Sequence, residues 1–167
     1  MRRAFAIAGS ALFLVVAPGT VAGLVPWWIT HWRFASGILD WSALRIAGGA
    51  LAAAGLFVLL ASFADFALKG LGTPAPVFPT RHLVVAGFYR YVRNPMYGAV
   101  VSLIVGQALI FASARLLEYA AVLWLCFHLF VLAYEEPVLR AKYGEEYERF
   151  RAEVPRWIPT LKHWKPG

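Results

Sequence analysis

The chain has little to build a conventional soluble active site from. It holds one cysteine, Cys126, inside an apolar run. One sulfur makes neither a disulfide framework nor a thiolate zinc site. The four histidines, His31, His82, His128 and His163, are scattered with no ligand spacing among them, so no metal site is expected. Charge is scarce too: 15% of the residues are charged, against 60% hydrophobic. A soluble domain of 167 residues could not hide that much apolar surface, so lipid must be part of the solvent. The charge that is present leans to a formal +7, but the basic residues flank apolar runs instead of coating a polar domain. That argues against nucleic acid and for anionic headgroups as the counter-charge. There is no internal repeat, low-complexity tract or linker, and residues 1–167 read as one domain.

What is present is a set of long apolar runs. A span needs roughly 20 such residues. Four are expected, at about 4–29, 46–65, 96–114 and 116–134, followed by a C-terminal segment over 135–167. The first run carries Pro18 and Pro26 and starts after Arg2-Arg3. A basic start also suits a signal peptide, but the run is too long for a typical one and has no clean cleavage site, so a retained span is expected. The second run is rich in Gly and Ala, which lets helix backbones approach closely in lipid. Ser113-Ala114-Arg115 reads as the break of a hairpin between the last two runs.

Lys and Arg give the orientation. Two lie at the N-terminus, four between Lys69 and Arg93, and seven after the fourth run, making thirteen on one side against three (Arg33, Arg45, Arg115) on the other. The positive-inside rule then places both termini and the central loop in the cytoplasm, and an even number of spans agrees. The expected architecture is an all-α, multi-pass integral membrane protein of a bacterial inner membrane. It has four transmembrane helices, a C-terminal amphipathic helix and a cytoplasmic pocket.

Two cytoplasmic stretches hold most of the chemistry. "GFYRYVRNPMYG", residues 87–98, packs Phe88, Tyr89 and Tyr91 with Arg90, Arg93 and an Asn-Pro step at the start of the third run. After the fourth run, Leu139, Tyr143, Tyr147, Phe150 and Val154 step by four, four, three and four, the spacing of one helix face. Taken alone, that face reads as an amphipathic helix on the headgroups. Glu136 with Arg140 and Glu145 with Arg149 have i,i+4 spacing, worth a few tenths of a kcal/mol each at about the usual value.

Together these stretches resemble the isoprenylcysteine carboxyl methyltransferase family in its broad bacterial sense, which is related to the phospholipid methyltransferases. The resemblance rests on "LVVAGFYRYVRNPMYG" (83–98), "EEPVLRAKYGEEYERF" (135–150) and "VPRWIPTL" (154–161), across the C-terminal half. It implies a membrane-embedded enzyme that uses S-adenosylmethionine. It also implies that Leu83, Val84, Gly87, Tyr89, Arg93, Asn94, Pro95 and Tyr97 hold that cofactor together with Tyr134, Glu135 and Glu136. Tyr97, Glu135 and Glu136 are the expected catalytic residues. Eukaryotic members have His where Asn94 and Arg81 stand, and an arginine shortly before the glutamates that "HLFVLAY" lacks. These departures point away from a prenylated protein C-terminus as acceptor.

The chemistry of the residues suits that cofactor. A sulfonium favours an aromatic face, for which Tyr89, Tyr97 and Tyr134 are candidates. A carboxylate suits the arginine fork of Arg93. An ammonium suits Glu135 or Glu136. Each residue also has a plainer role open to it. Arg90 and Arg93 could anchor the third run at the headgroups, and the tyrosines could form an interfacial belt. Pro95 could simply start a helix, and the glutamates could favour the N-terminus of the tail helix. Gln107 and His128, at membrane depth, are expected to make interhelical hydrogen bonds. Asp65 ends the second run and could pair with Lys69. The leading function is methyl transfer to a lipophilic small molecule, by carboxyl O-methylation. The alternatives are phospholipid-amine N-methylation, a sterol-type reductase using NADPH, and a non-enzymatic membrane scaffold or lipid-binding protein.

Overall fold

The computed structural model describes residues 2–35, 42–69, 83, 85–162 and 164, and among them every regular element is helical. Helix α1 (Arg2–Gly19) passes through a π-helical turn (Thr20–Leu24) into α2 (Val25–Thr30). Helix α3 (Ser42–Lys69) follows, then a short 3-10 turn (Gly87–Arg90) and α4 (Pro95–Ile110). Helix α5 (Ala114–Phe130) runs through a second π-helical turn (Val131–Glu135) into α6 (Glu136–Tyr143), and α7 (Glu145–Glu153) closes the helical part. Three stretches are long and apolar enough to cross a membrane: Ala11–Thr30, Ser42–Asp65 and Ala114–Tyr143. Helix α4 is apolar but shorter, and it packs between α3 and α5.

The first run bends for a reason legible in its prolines. Pro26 has no N–H. In an α-helix that N–H would serve the carbonyl of Ala22, and in the wider π register the carbonyl of Val21. Both carbonyls are bonded from other helices instead. Gln107 Nε2 donates to Ala22 O at 2.7 Å, and Tyr119 Oη donates to Val21 O at 3.0 Å. An open carbonyl in hydrocarbon costs several kcal/mol on the order of a lost buried hydrogen bond, so the two donors pin α1 to α4 and α5. The interhelical role expected for Gln107 is the one it has.

Close backbone approach sets the α3–α4 pair. A Cβ added at Gly48 would lie 2.6 Å from Gly106 O, and one added at Gly106 would lie 2.7 Å from Gly48 O. Neither carbonyl can swing away like a side chain. Gly48→Ala is therefore expected to lower stability by about 1–3 kcal/mol, the usual cost of overpacking. Gly49→Ala, where a Cβ meets nothing within 4 Å, is expected to be neutral. Thermal unfolding of both variants in detergent checks this. The core beneath is Leu59, Phe63, Ile104, Leu116 and Ala120, drawn from α3, α4 and α5.

Three details differ from the sequence reading. The hairpin break falls earlier than Ser113-Ala114-Arg115: α4 stops at Ile110, Phe111 and Ala112 turn, and Ser113 caps α5 by accepting from Leu116 N. The tail is two helices, because Gly144 takes φ +52, a left-handed value that helices do not continue through. The expected stripe survives the break, but it faces protein. Tyr147, Phe150 and Val154 form a second core with Trp164, against Leu83, Val85, Leu139 and Tyr143. The ion pairs also differ. Glu136 turns to Arg93 and Arg156, while Arg140 and Arg151 share Glu148.

Candidate functional site

The segment 87–97 is held from both flanks. Gly87 has φ +52, and a Cβ there would collide with the carboxylate of Asp65 at the end of α3. Only glycine allows both the turn and that approach. On the other flank the C-terminal strap runs alongside. Arg93 N donates to Pro155 O (2.9 Å), Thr160 N to Tyr91 O (3.0 Å) and Trp164 N to Arg90 O (3.0 Å). Asn94 Nδ2 adds a bond to Arg156 O at 3.2 Å, and Pro95 starts α4 as expected. Trp157 Nε1 donates to His128 Nδ1 at 3.0 Å, fastening the strap to α5; this is the bond His128 makes, to the tail and not to another helix.

A cavity of about 310 Å³ opens where this segment meets the end of α5. Its polar lining is Tyr89, Arg93, Asn94, Tyr97 and Glu135. Its apolar lining comes from all the long helices, including Phe13, Pro18 and Val21 of the first run, Leu59 and Phe63 of α3, and Phe127 and Phe130 of α5. The 87–97 segment and Glu135 make its polar part, and the helix side chains make its apolar part.

Tyr97 and Glu135, 38 residues apart in the chain, meet here: Tyr97 Oη donates to Glu135 Oε2 at 3.1 Å. The Tyr97 ring lies against Phe127, centroids 4.7 Å apart. Among the described residues Glu135 has no cationic partner. Glu136 has two. Arg156 grips it with Nε at 2.6 Å and Nη2 at 3.0 Å, and Arg93 Nη1 lies at 3.0 Å. The same Arg93 Nη1 donates to Tyr147 Oη at 3.3 Å. That leaves Arg93 Nε, buried and without a partner, on a residue that lines the cavity. Burial pushes the Tyr89 phenol well above its ordinary pKa, and neighbouring Glu135 adds to the shift, so Tyr89 stays a neutral donor at physiological pH. Burial likewise raises Tyr147.

Of the residues singled out in the sequence, five line one cavity: Tyr89, Arg93, Asn94, Tyr97 and Glu135. Glu136 stands behind Arg93, outside the lining. Gly87 shapes the turn. Leu83 packs into the tail core, and Tyr134, half exposed, lies with its ring tilted against the lining residue Phe130 (5.2 Å) without lining the cavity itself. Pro95 is buried at the head of α4. Val84 lies outside the described residues, as do Arg81 and His82. Asp65 has its carboxylate against Gly87; the pairing with Lys69 rests on a side chain outside the described set. Sequence reasoning missed Arg156, Tyr147 and Trp157. "VPRWIPTL" contained two of them, but nothing local says that an arginine there reaches back to Glu136.

A sequence model of phospholipid methyltransferases matches residues 44–146, which takes in α3, the 87–97 segment, the hairpin and the glutamate pair. The chain belongs to the phospholipid methyltransferase family. A relative within reach is the protein-S-isoprenylcysteine O-methyltransferase of Schizosaccharomyces pombe, 35% identical over 80 residues. That match covers 47% of this chain and 34% of the relative, so the chain spans only about a third of that protein's length. No solved structure matches the chain significantly. Family membership agrees with the resemblance read from the three quoted stretches, and with an integral membrane protein.

Proposed function

We propose that the protein is a membrane methyltransferase that takes S-adenosylmethionine at the polar end of the cavity and a lipophilic acceptor at the apolar end. The observation that carries the reading is the meeting of Tyr97, Glu135 and Arg93, whose Nε is buried and unpartnered, around one cavity of mixed character. The residues suit the cofactor. Arg93 Nε is a buried donor without a partner, which suits a carboxylate. Glu135, without a cation of its own, suits an ammonium. The faces of Tyr97 and Phe127 suit a sulfonium. Bound there, S-adenosylmethionine would supply an electrophilic methyl group.

The chain's own contribution is alignment and dryness. Glu136 and Arg156 fix the arginine, Tyr97 fixes the Glu135 carboxylate, and the apolar walls exclude water. Alignment of this kind can supply an effective molarity on the order of 10⁵ M. A carboxylate acceptor needs no general base. A second reading, N-methylation of a phospholipid amine, draws support from the family and from Glu135, which is placed to take a proton. Labelled methyl groups incorporated from a lipid extract separate the two, since a methyl ester releases label in mild alkali and an N-methyl group does not.

Helix α4, sheltered between α3 and α5, completes a fourth span in this reading. The excess of Lys and Arg at the cavity's polar end supports a cytoplasmic side for that end and both termini, in this reading of a bacterial inner-membrane protein. Detergent-purified protein is expected to bind S-adenosylhomocysteine, and Glu135→Gln to weaken binding several-fold. No binding by the parent at millimolar ligand, with NADPH bound instead, would favour a reductase. Binding of neither would leave a scaffold.

A further inference from the structure

The apolar end of the cavity owes one wall to residues outside the part of the chain that the family shares. The match begins at residue 44, whereas Phe13, Ala17, Pro18 and Val21 belong to the first run. That wall is not loosely apposed. The π-helical turn that includes Val21 is tied to α4 through Gln107 and to α5 through Tyr119, and Phe13 stacks on Phe63 of α3 with centroids 6.1 Å apart. Its position relative to Tyr97 and Glu135 is therefore set by hydrogen bonds and ring packing. Ala17 and Val21 are the small members of the wall, four residues apart and so on one helix face. Their size governs how much room the cavity keeps.

We infer that this wall is the gauge of acceptor specificity: Ala17 and Val21 admit a lipid with one slender apolar tail, and larger side chains there would shorten the tail accepted. This rests on the methyltransferase reading and adds the residues that select its acceptor. At about 310 Å³ the cavity is near the lower end of the ligand-pocket range of about 300–1,000 Å³. A space of that size suits one slender tail better than two. The tail would lie between the first run and the α3 and α5 side chains, with its head toward Tyr97 and Glu135.

The test is photo-crosslinking of the purified full chain with decanoic, tetradecanoic and octadecanoic acids that carry a diazirine near the tail end. S-adenosylhomocysteine affinity is measured on the same samples. In the parent, label is expected on the peptide spanning Ala11–Leu24 for all three probes. In Ala17→Phe and in Val21→Phe, labelling by the octadecanoic probe should fall roughly tenfold more than labelling by the decanoic one, as filling a pocket discriminates by size. Nucleotide affinity should stay within about twofold of the parent in both variants. Absence of label from Ala11–Leu24 in the parent, or equal labelling by all probes in parent and variants, would overturn the inference. So would loss of nucleotide affinity in both variants, since the wall would then belong to the cofactor's end. A parent that crosslinks as expected but binds no nucleotide would leave the tail site standing and defeat the methyltransferase reading instead.

Discussion

Glu136→Ala is expected to cost about 3–5 kcal/mol of stability, the usual result of leaving buried charge without its partner. The carboxylate is 7% exposed and faces the Arg93 side chain, which is 10% exposed, so little water is available to replace it. Two guanidinium groups would lose their carboxylate at once, because Arg156 also directs both Nε and Nη2 at Glu136. Arg156→Ala should cost less, since Arg156 is more accessible and Arg93 would still hold the glutamate. Glu148→Ala is the control. Glu148 bridges Arg140 and Arg151 on the surface, where water screens the charges and such pairs contribute little. Thermal unfolding in detergent should rank the loss as Glu136 first, Arg156 second and Glu148 near zero. Equal losses at Glu136 and Glu148 would remove the buried latch from the account.

Arg93→Lys is expected to leave the fold largely intact and to weaken nucleotide binding roughly tenfold or more. A lysine ammonium can still face Glu136. It cannot also present a second N–H in a fixed plane, which is what separates the two side chains at sites of this kind. In the protein, Arg93 spends Nη1 on Glu136 and Tyr147, while its Nε is buried and unpartnered on a residue that lines the cavity. Losing a hydrogen bond to a charged ligand group costs about 1.5–3 kcal/mol, and about 1.4 kcal/mol is one decade of affinity. Unfolding temperature and S-adenosylhomocysteine affinity, measured on the same sample, separate the two roles. A variant that unfolds without any selective loss of affinity would assign Arg93 to the latch alone.

Three of the four expected spans were legible because lipid demands long apolar runs and little else satisfies that demand. The cluster at 87–98 was legible because so many hydrogen-bonding and aromatic groups have no reason to crowd one short membrane entrance. The division of labour between Glu135 and Glu136 was not. As neighbours in sequence they look interchangeable, yet on a helix successive side chains point about 100° apart. One turns into the cavity toward Tyr97, and the other turns to Arg93 and Arg156. The tail stripe was read correctly as a face, but its partner was not, because periodicity says that a surface is buried and not what buries it. The π-helical turn was hidden for a related reason. Pro26 announces a missing donor, but only the packed bundle reveals that Gln107 and Tyr119 supply the replacements.

The methyl donor is expected in the cavity lined by Tyr97 and Glu135. An experimental structure with S-adenosylhomocysteine tests it most directly. The expected result is ligand density in that cavity, with the amino-acid end within hydrogen-bonding distance of Arg93 Nε and Glu135. Density elsewhere on the protein, with this cavity filled only by lipid, would contradict it.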